Sequence, residues 1–142
     1  MNNPAQKLNI VAASTSSRKS RRRGEFITFH PTTGKICFSL SMVDKLSIKN
    51  CEFAIFYSER DVSRWYLRVG TEDMPEDKRL KLTKPTALQK RDYSCTSKIV
   101  CIELLKSANV SVANSRSFKL KEQEPFTYEG HKYFELDTKN PL

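Results

Sequence analysis

The chain has 142 residues, 38% hydrophobic and 10% aromatic, with a formal net charge of +9. This is enough apolar material for one packed domain, which excludes a wholly disordered protein. No run reaches the ~20 apolar residues of a membrane-spanning helix. The apolar patch near the start is short and has its basic cluster behind it, so no secretory leader and no membrane partner are expected.

The first element is a basic arm, residues 1–23. It carries Lys7, Arg18, Lys19, Arg21, Arg22 and Arg23 and no acidic residue, so six of the nine net charges sit there. The five between Arg18 and Arg23 repel one another, and neutralising them against phosphates releases condensed counterions. Arginine dominates the cluster, which suits bidentate phosphate or carboxylate contacts. Arg18, Lys19, Arg21, Arg22 and Arg23 are therefore the first candidate polyanion- or partner-binding residues. Charge alone leaves DNA, RNA or an acidic protein surface open as the partner.

From residue 24 to 142 the pattern predicts a single β-rich domain. The segment "FITFHPTTGKICFSL" reads as a hairpin turning between Pro31 and Gly34. "SMVDKL" reads as a short helix with Ser41 as N-cap and Asp44 three residues on. "EFAIFYSE" and "RWYLRV" follow as a second hairpin around "SERDVSR". In the first of these strands Phe53, Ile55 and Tyr57 alternate with Ala54 and Phe56, predicting a strand with both faces partly covered. Trp65 and Tyr66 lie between Arg64 and Arg68, an interleaving that can stack on unpaired bases. The same pair equally suits one core and one half-exposed ring.

Residues 70–92 read as a charged connector broken by Pro75 and Pro85. It is acidic first (Glu72, Asp73, Glu76, Asp77) and basic after. Its Lys78, Arg79, Lys81, Lys84, Lys90 and Arg91 form a second candidate contact, suited to the acidic half of a neighbouring subunit.

Beyond it, "IVCIELLKSANVSVAN" matches "KICFSLSMVDKLSIKN" at a shift of 64 residues, with Cys37 on Cys101, Leu46 on Val110 and Asn50 on Asn114. Each copy reads as strand, helical turn and hairpin, the second copy continuing through "RSFKLKEQ", a loop "EQEPFTYEG" and "HKYFELD". Repeat-like units at 34–69 and 98–137 are expected to share one core, because neither alone could bury its apolar face. The expected fold class is mainly β (β-rich α+β), a small barrel or sandwich built from two duplicated units.

The chemistry-bearing residues are sparse. Cys37, Cys51, Cys95 and Cys101 include no CxxC pair, so no metal site is expected. Cys37 and Cys101 sit among apolar neighbours and are expected to be buried thiols. His30 and His131 lie on or beside strands, outside any nucleophile or metal motif. "NVS" at Asn109 is a glycosylation sequon with no leader to make it relevant. No catalytic residue, cofactor or small-molecule substrate is expected, and the protein reads as a non-enzyme.

The segment "GKICFSLSMVDKLSIKNCEFAIFYSERDVSRWYLRV", residues 34–69, resembles the swapped-hairpin unit of AbrB-like DNA-binding domains. It departs from that family in having Asn50 and Cys51 where Gly-Asp is common, and Ser41 where Pro often starts the helix. The family's basic DNA-facing positions find no equivalents. The resemblance implies a shape that permits DNA binding.

Two functions follow as expectations. The first is a structural subunit of a nucleic-acid-containing particle, a phage or virus virion. There it would contact neighbouring protein subunits and the phosphate backbone through its arm. The alternative is an AbrB-like DNA-binding regulator or architectural protein, cytoplasmic and nucleoid-associated.

Overall fold

The computed structural model describes residues 24–58, 64–71, 74–84 and 93–142. Strands β1 (Ile27–His30) and β2 (Lys35–Phe38) form the expected hairpin, with Ile27 opposite Phe38. Its turn is closed by Gly34 N–H donating to His30 O at 2.7 Å. Gly34 has φ 82°, and a Cβ there would lie 2.8 Å from Lys98 N, so the position favours glycine twice over.

Helix α1 (Leu40–Leu46) starts directly after β2, and its N-cap is Ser39 rather than Ser41. Ser39 Oγ accepts from Met42 N–H at 3.3 Å and from Phe26 N–H at 3.1 Å, and donates to Gly24 O at 2.8 Å. One hydroxyl thus caps the helix and ties it to the chain entering β1. The helix ends at Ser47 in the left-handed region, followed by a 3-10 turn, Ile48–Asn50. Strands β3 (Phe53–Ser58) and β4 (Trp65–Gly70) pair antiparallel, Tyr57 opposite Tyr66.

The connector at 70–92 contains structure. Met74 is buried, Pro75 opens a turn, and β5 (Leu80–Lys81) pairs with β3. Strand β6 (Ser94–Thr96) pairs with β2 and leads into helix α2 (Lys98–Ser107), capped by Ser97. This helix occupies "IVCIELL", where the repeat places a strand. A short apolar run has no decisive period; here the Ser97 cap and burial of Cys101, Leu104 and Leu105, at helical spacing, settle it. Cys101 is thus helical while Cys37 lies in a strand, so the 64-residue register is not the structural one. The strand that precedes this helix is β6, which ends before residue 98.

Strand β7 (Arg116–Phe118) pairs with β1. Strands β8 (Phe126–Tyr128) and β9 (His131–Glu135) form a hairpin where a plain loop is expected from "EQEPFTYEG". Its two-residue turn has φ 52° at Glu129 and 81° at Gly130, the all-positive pattern of a tight hairpin turn.

The strands make two antiparallel sheets, in the orders β6-β2-β1-β7 and β5-β3-β4-β9-β8. Single bridges join their edges, Thr83 with Ser94 and Leu120 with Leu136. With one bridge at each seam, the architecture is two linked sheets and not a closed barrel. Ile27, Phe29, Ile36, Phe38 and Phe118 from one sheet share a core with Ala54, Trp65 and Leu67 from the other and with both helices. Phe29 joins the layers, its ring centroid 5.7 Å from Phe56 and 5.8 Å from Phe118. Cys95 and Cys101 are buried, but Cys37 is only half-buried, because it points away from the core between Ile36 and Phe38.

Candidate nucleic-acid interface: an aromatic sheet face and a basic cleft

The register of the five-stranded sheet decides which side chains share its outer face. Leu67 and Trp65 of β4 point into the core, so Tyr66 and Arg68 point out. Tyr57 lies opposite Tyr66, which lies opposite Glu135 of β9; Tyr133 and His131 follow on the same side. Phe126 and Tyr128 of β8 sit opposite Tyr133 and His131. Four strands therefore bring these five aromatic rings together on one surface, with Phe53 of β3 at its far end.

The rings touch in a chain. Tyr57 and Tyr133 are 5.4 Å apart, Phe126 and Tyr133 5.9 Å, Phe126 and Tyr128 6.2 Å, and Tyr66 and Phe126 6.4 Å between centroids. Phe126 is 56% exposed and Tyr128 55%. Ile55, the aliphatic residue of the same face, is only 1% exposed, so the open surface is almost entirely π-surface. Arg79 caps the far end of the face, its guanidinium 4.2 Å from the Phe53 centroid.

Arg68 is the ionic centre, 6% exposed beneath the rings. Its Nη2 lies 3.3 Å from His131 Nε2. A guanidinium can only donate, so Nε2 is the acceptor and the imidazole is held with that nitrogen unprotonated. Burial and the neighbouring Tyr57 push the Tyr133 hydroxyl above the ordinary tyrosine range, and Arg68 pulls it the other way. Glu135, the one carboxylate of the face among the described residues, is paired with Lys121 at 2.6 Å and accepts from Gln123 at 3.0 Å.

Where β4, the β8–β9 turn and the end of α1 meet, a cleft of about 530 Å³ opens beside this face. Lys45, Arg68, His131 and Lys132 line it, with the hydroxyls of Ser47 and Thr71 and, among the described residues, no carboxylate. Lys45 is shared with Glu25 at 3.5 Å. Cys51 also lines it, its thiol held neutral by burial, which raises its pKa. The cleft can accept an anion with hydrogen bonds and charge together.

Among the sequence candidates, Arg79 is brought onto the aromatic face, while Lys78, Lys81 and Lys84 are exposed around the edge strand β5. Charged residues there also discourage pairing with another chain's strand. Lys90 and Arg91, and Arg18, Lys19, Arg21, Arg22 and Arg23 of the arm, lie outside the described residues. Trp65 is core, with its buried indole N–H unpartnered among the described residues, and only Tyr66 of that pair reaches the face.

His30 sits apart, on the other sheet. Its Nδ1 lies 2.6 Å from Ser115 Oγ in an open cleft of about 430 Å³. Among the described residues no carboxylate is bonded to this imidazole to make it a general base, so the pair reads as a structural hydrogen bond. No group of three or more metal-ligating side chains is gathered among the described residues, and no helix there is long and apolar enough to cross a membrane.

Sequence reasoning missed Tyr57, Phe126, Tyr128, Tyr133, Lys45 and Lys132. The available signal was "FTYEGHKY", in which aromatics alternate on both sides of a two-residue turn ending in Gly. Comparison with family models, with curated proteins and with solved structures gives no match.

Proposed function

We propose that the protein is a non-enzymatic nucleic-acid-binding protein. In this reading the basic arm supplies phosphate affinity and the folded body supplies position. The observation that carries the reading on the body is the convergence of Lys45, Arg68, His131 and Lys132 on one cleft, with no carboxylate in its lining among the described residues. The arm adds five clustered charges of the same sign.

The setting follows the leading expectation, a structural subunit of a virion or similar nucleic-acid-containing particle, with neighbouring subunits around the body. This role rests on the arm. The second reading, an AbrB-like regulator or architectural DNA-binding protein, is favoured by the topology. Exchanging β1 with β5, β2 with β6, α1 with α2, β3 with β7 and β4 with β9 leaves the strand-neighbour relations unchanged except for β8–β9, since β8 has no counterpart in the first half. On that basis we infer an internal duplication in which Ser39 and Ser97 are equivalent caps. Each accepts from the N–H three residues on, Met42 at 3.3 Å and Val100 at 3.2 Å.

The test is salt-dependent binding to a labelled DNA duplex. Engagement of the five clustered arm charges predicts a log–log slope on the order of −4, most of it lost on deleting residues 1–23. Absence of binding at low salt would remove this function. Light scattering then separates the settings: a discrete dimer or tetramer suits the regulator, and order only within a larger assembly suits the particle subunit.

A further inference from the structure

The aromatic face and the basic cleft meet at Arg68 and His131, and each supplies what the other lacks for one ligand class. We propose that together they bind single-stranded nucleic acid: unpaired bases stack on Phe126, Tyr128 and Tyr66, and the adjoining phosphates enter the cleft between Lys45 and Lys132. This deepens the nucleic-acid-binding function by assigning the body, as distinct from the arm, a preference for unpaired strands.

Three observations select this occupant. The exposed part of the face is π-surface, while its aliphatic member Ile55 is already covered. A base offers an equivalent face to each ring whatever its identity, so stacking is sequence-tolerant. In a duplex those faces are covered by neighbouring base pairs, so the rings have nothing to stack on unless the strand is single. The charge around the rings and the cleft also favours an anion. Arg68 and Arg79 lie in or over the face, Glu135 is paired with Lys121, and the cleft has no carboxylate in its lining among the described residues. A second copy of this chain would bring the same positive cleft and the same rings, leaving like charges opposed. A phosphodiester strand satisfies ring and cleft at once.

Arg68 and His131 act here as positioning residues. Arg68 is buried and His131 half-buried, and their contact at 3.3 Å fixes the junction between stacking surface and cleft. Phe126, Tyr128 and Lys132 are exposed, so replacing them removes ligand contacts without opening the core.

The experiment uses the full chain and two fluorescent probes, a 20-nucleotide oligothymidylate and a 20-base-pair duplex, at several salt concentrations. The Phe126→Ala/Tyr128→Ala protein is expected to bind the single strand about 100-fold more weakly, roughly tenfold per ring, with duplex affinity nearly unchanged. Lys132→Ala should weaken single-strand binding and reduce its salt slope by about one. Deleting residues 1–23 should weaken both probes while keeping the single strand favoured. Circular dichroism and thermal melting of each variant confirm an intact fold. Unchanged oligothymidylate binding in the double variant overturns the inference, while salt-dependent duplex binding by the full chain leaves the broader function standing. A wild-type dimer that the double variant converts to monomer overturns it as well, marking the face as a self-association surface. Failure of the full chain to bind either probe overturns both readings.

Discussion

Ser39 and Ser97 occupy matching cap positions but carry different numbers of hydrogen bonds, and the difference predicts unequal costs on removal. Ser97→Ala deletes one bond, from Val100 N–H at 3.2 Å. Loss of a serine cap of this kind costs about 1 kcal/mol. Ser39→Ala deletes the equivalent bond from Met42 N–H and two more, leaving Phe26 N–H without its acceptor and Gly24 O without its donor. Ser39 is buried, whereas Gly24 is exposed, so water can replace the Gly24 partner more readily than the other two. Adding one buried unsatisfied donor to the cap loss gives about 2–4 kcal/mol for Ser39→Ala. For a body of this size each kcal/mol corresponds to roughly 3–6 °C in Tm. Urea titration with an unchanged m-value is the assay, because the comparison needs both variants to unfold as the same two-state unit. Equal costs, or a larger cost for Ser97→Ala, would refute the reasoning that Ser39 joins the helix to the entering strand.

Gly34→Ala is expected to destabilise by about 1–3 kcal/mol, since φ 82° disfavours a side chain and the new Cβ would press on Lys98 N; denaturant titration checks it. A thiol reagent at pH 8 should label Cys37 and, more slowly because burial raises its pKa, Cys51 in the folded protein, and Cys95 and Cys101 only on unfolding, as their burial differs. Stability should also fall in alkali. Burial raises the pKa of Cys95, and that of Cys101 to about 11, from 9.0, so both thiols ionise later folded than unfolded. Their contribution is complete below pH 9 and is lost as pH rises through the folded values. Urea titrations between pH 8 and 11 should show a shallower loss in Cys95→Ala than in the parent.

Much of the first half was legible because its punctuation is local. Gly34 can close a turn that a bulkier residue could not, and the double-sided apolar pattern of Phe53 to Tyr57 fits a strand covered on both faces. Tyr57 and Ile55 face outward there, yet Ile55 is buried, as that pattern predicts. The α1 helix was legible in kind but not in start. Ser39 and Ser41 both suit an N-cap, and only the bonds to Phe26 and Gly24 distinguish them. The aromatic face was least legible, because its members are spread over four strands from Tyr57 to Tyr133. Their meeting depends on the pairing of β4 with β9, a long-range register that no local pattern encodes.

The proposed duplication would account for a misleading period in the sequence. On the proposed equivalence, Ser39 and Ser97 are 58 positions apart, the starts of β3 and β7 are 63 apart, and those of β4 and β9 are 66 apart. A rigid slide must choose one value, and 64 lies between the two later offsets. It therefore brings the later strands nearly into step and drags the α2 sequence onto β2, pairing Cys37 with Cys101. The physical source of the drift is mostly visible. Helix α2 has ten residues against seven in α1, and the segment from Asn109 to Ser115 that follows it is mostly exposed. Extra residues at a solvent-facing helix end and loop cost little, since closure entropy grows slowly with length. The buried positions tolerate no such drift, because each must meet its partner across the shared core. The cap serines fix where each helix starts, and on the proposed equivalence it is from those two points that the halves correspond.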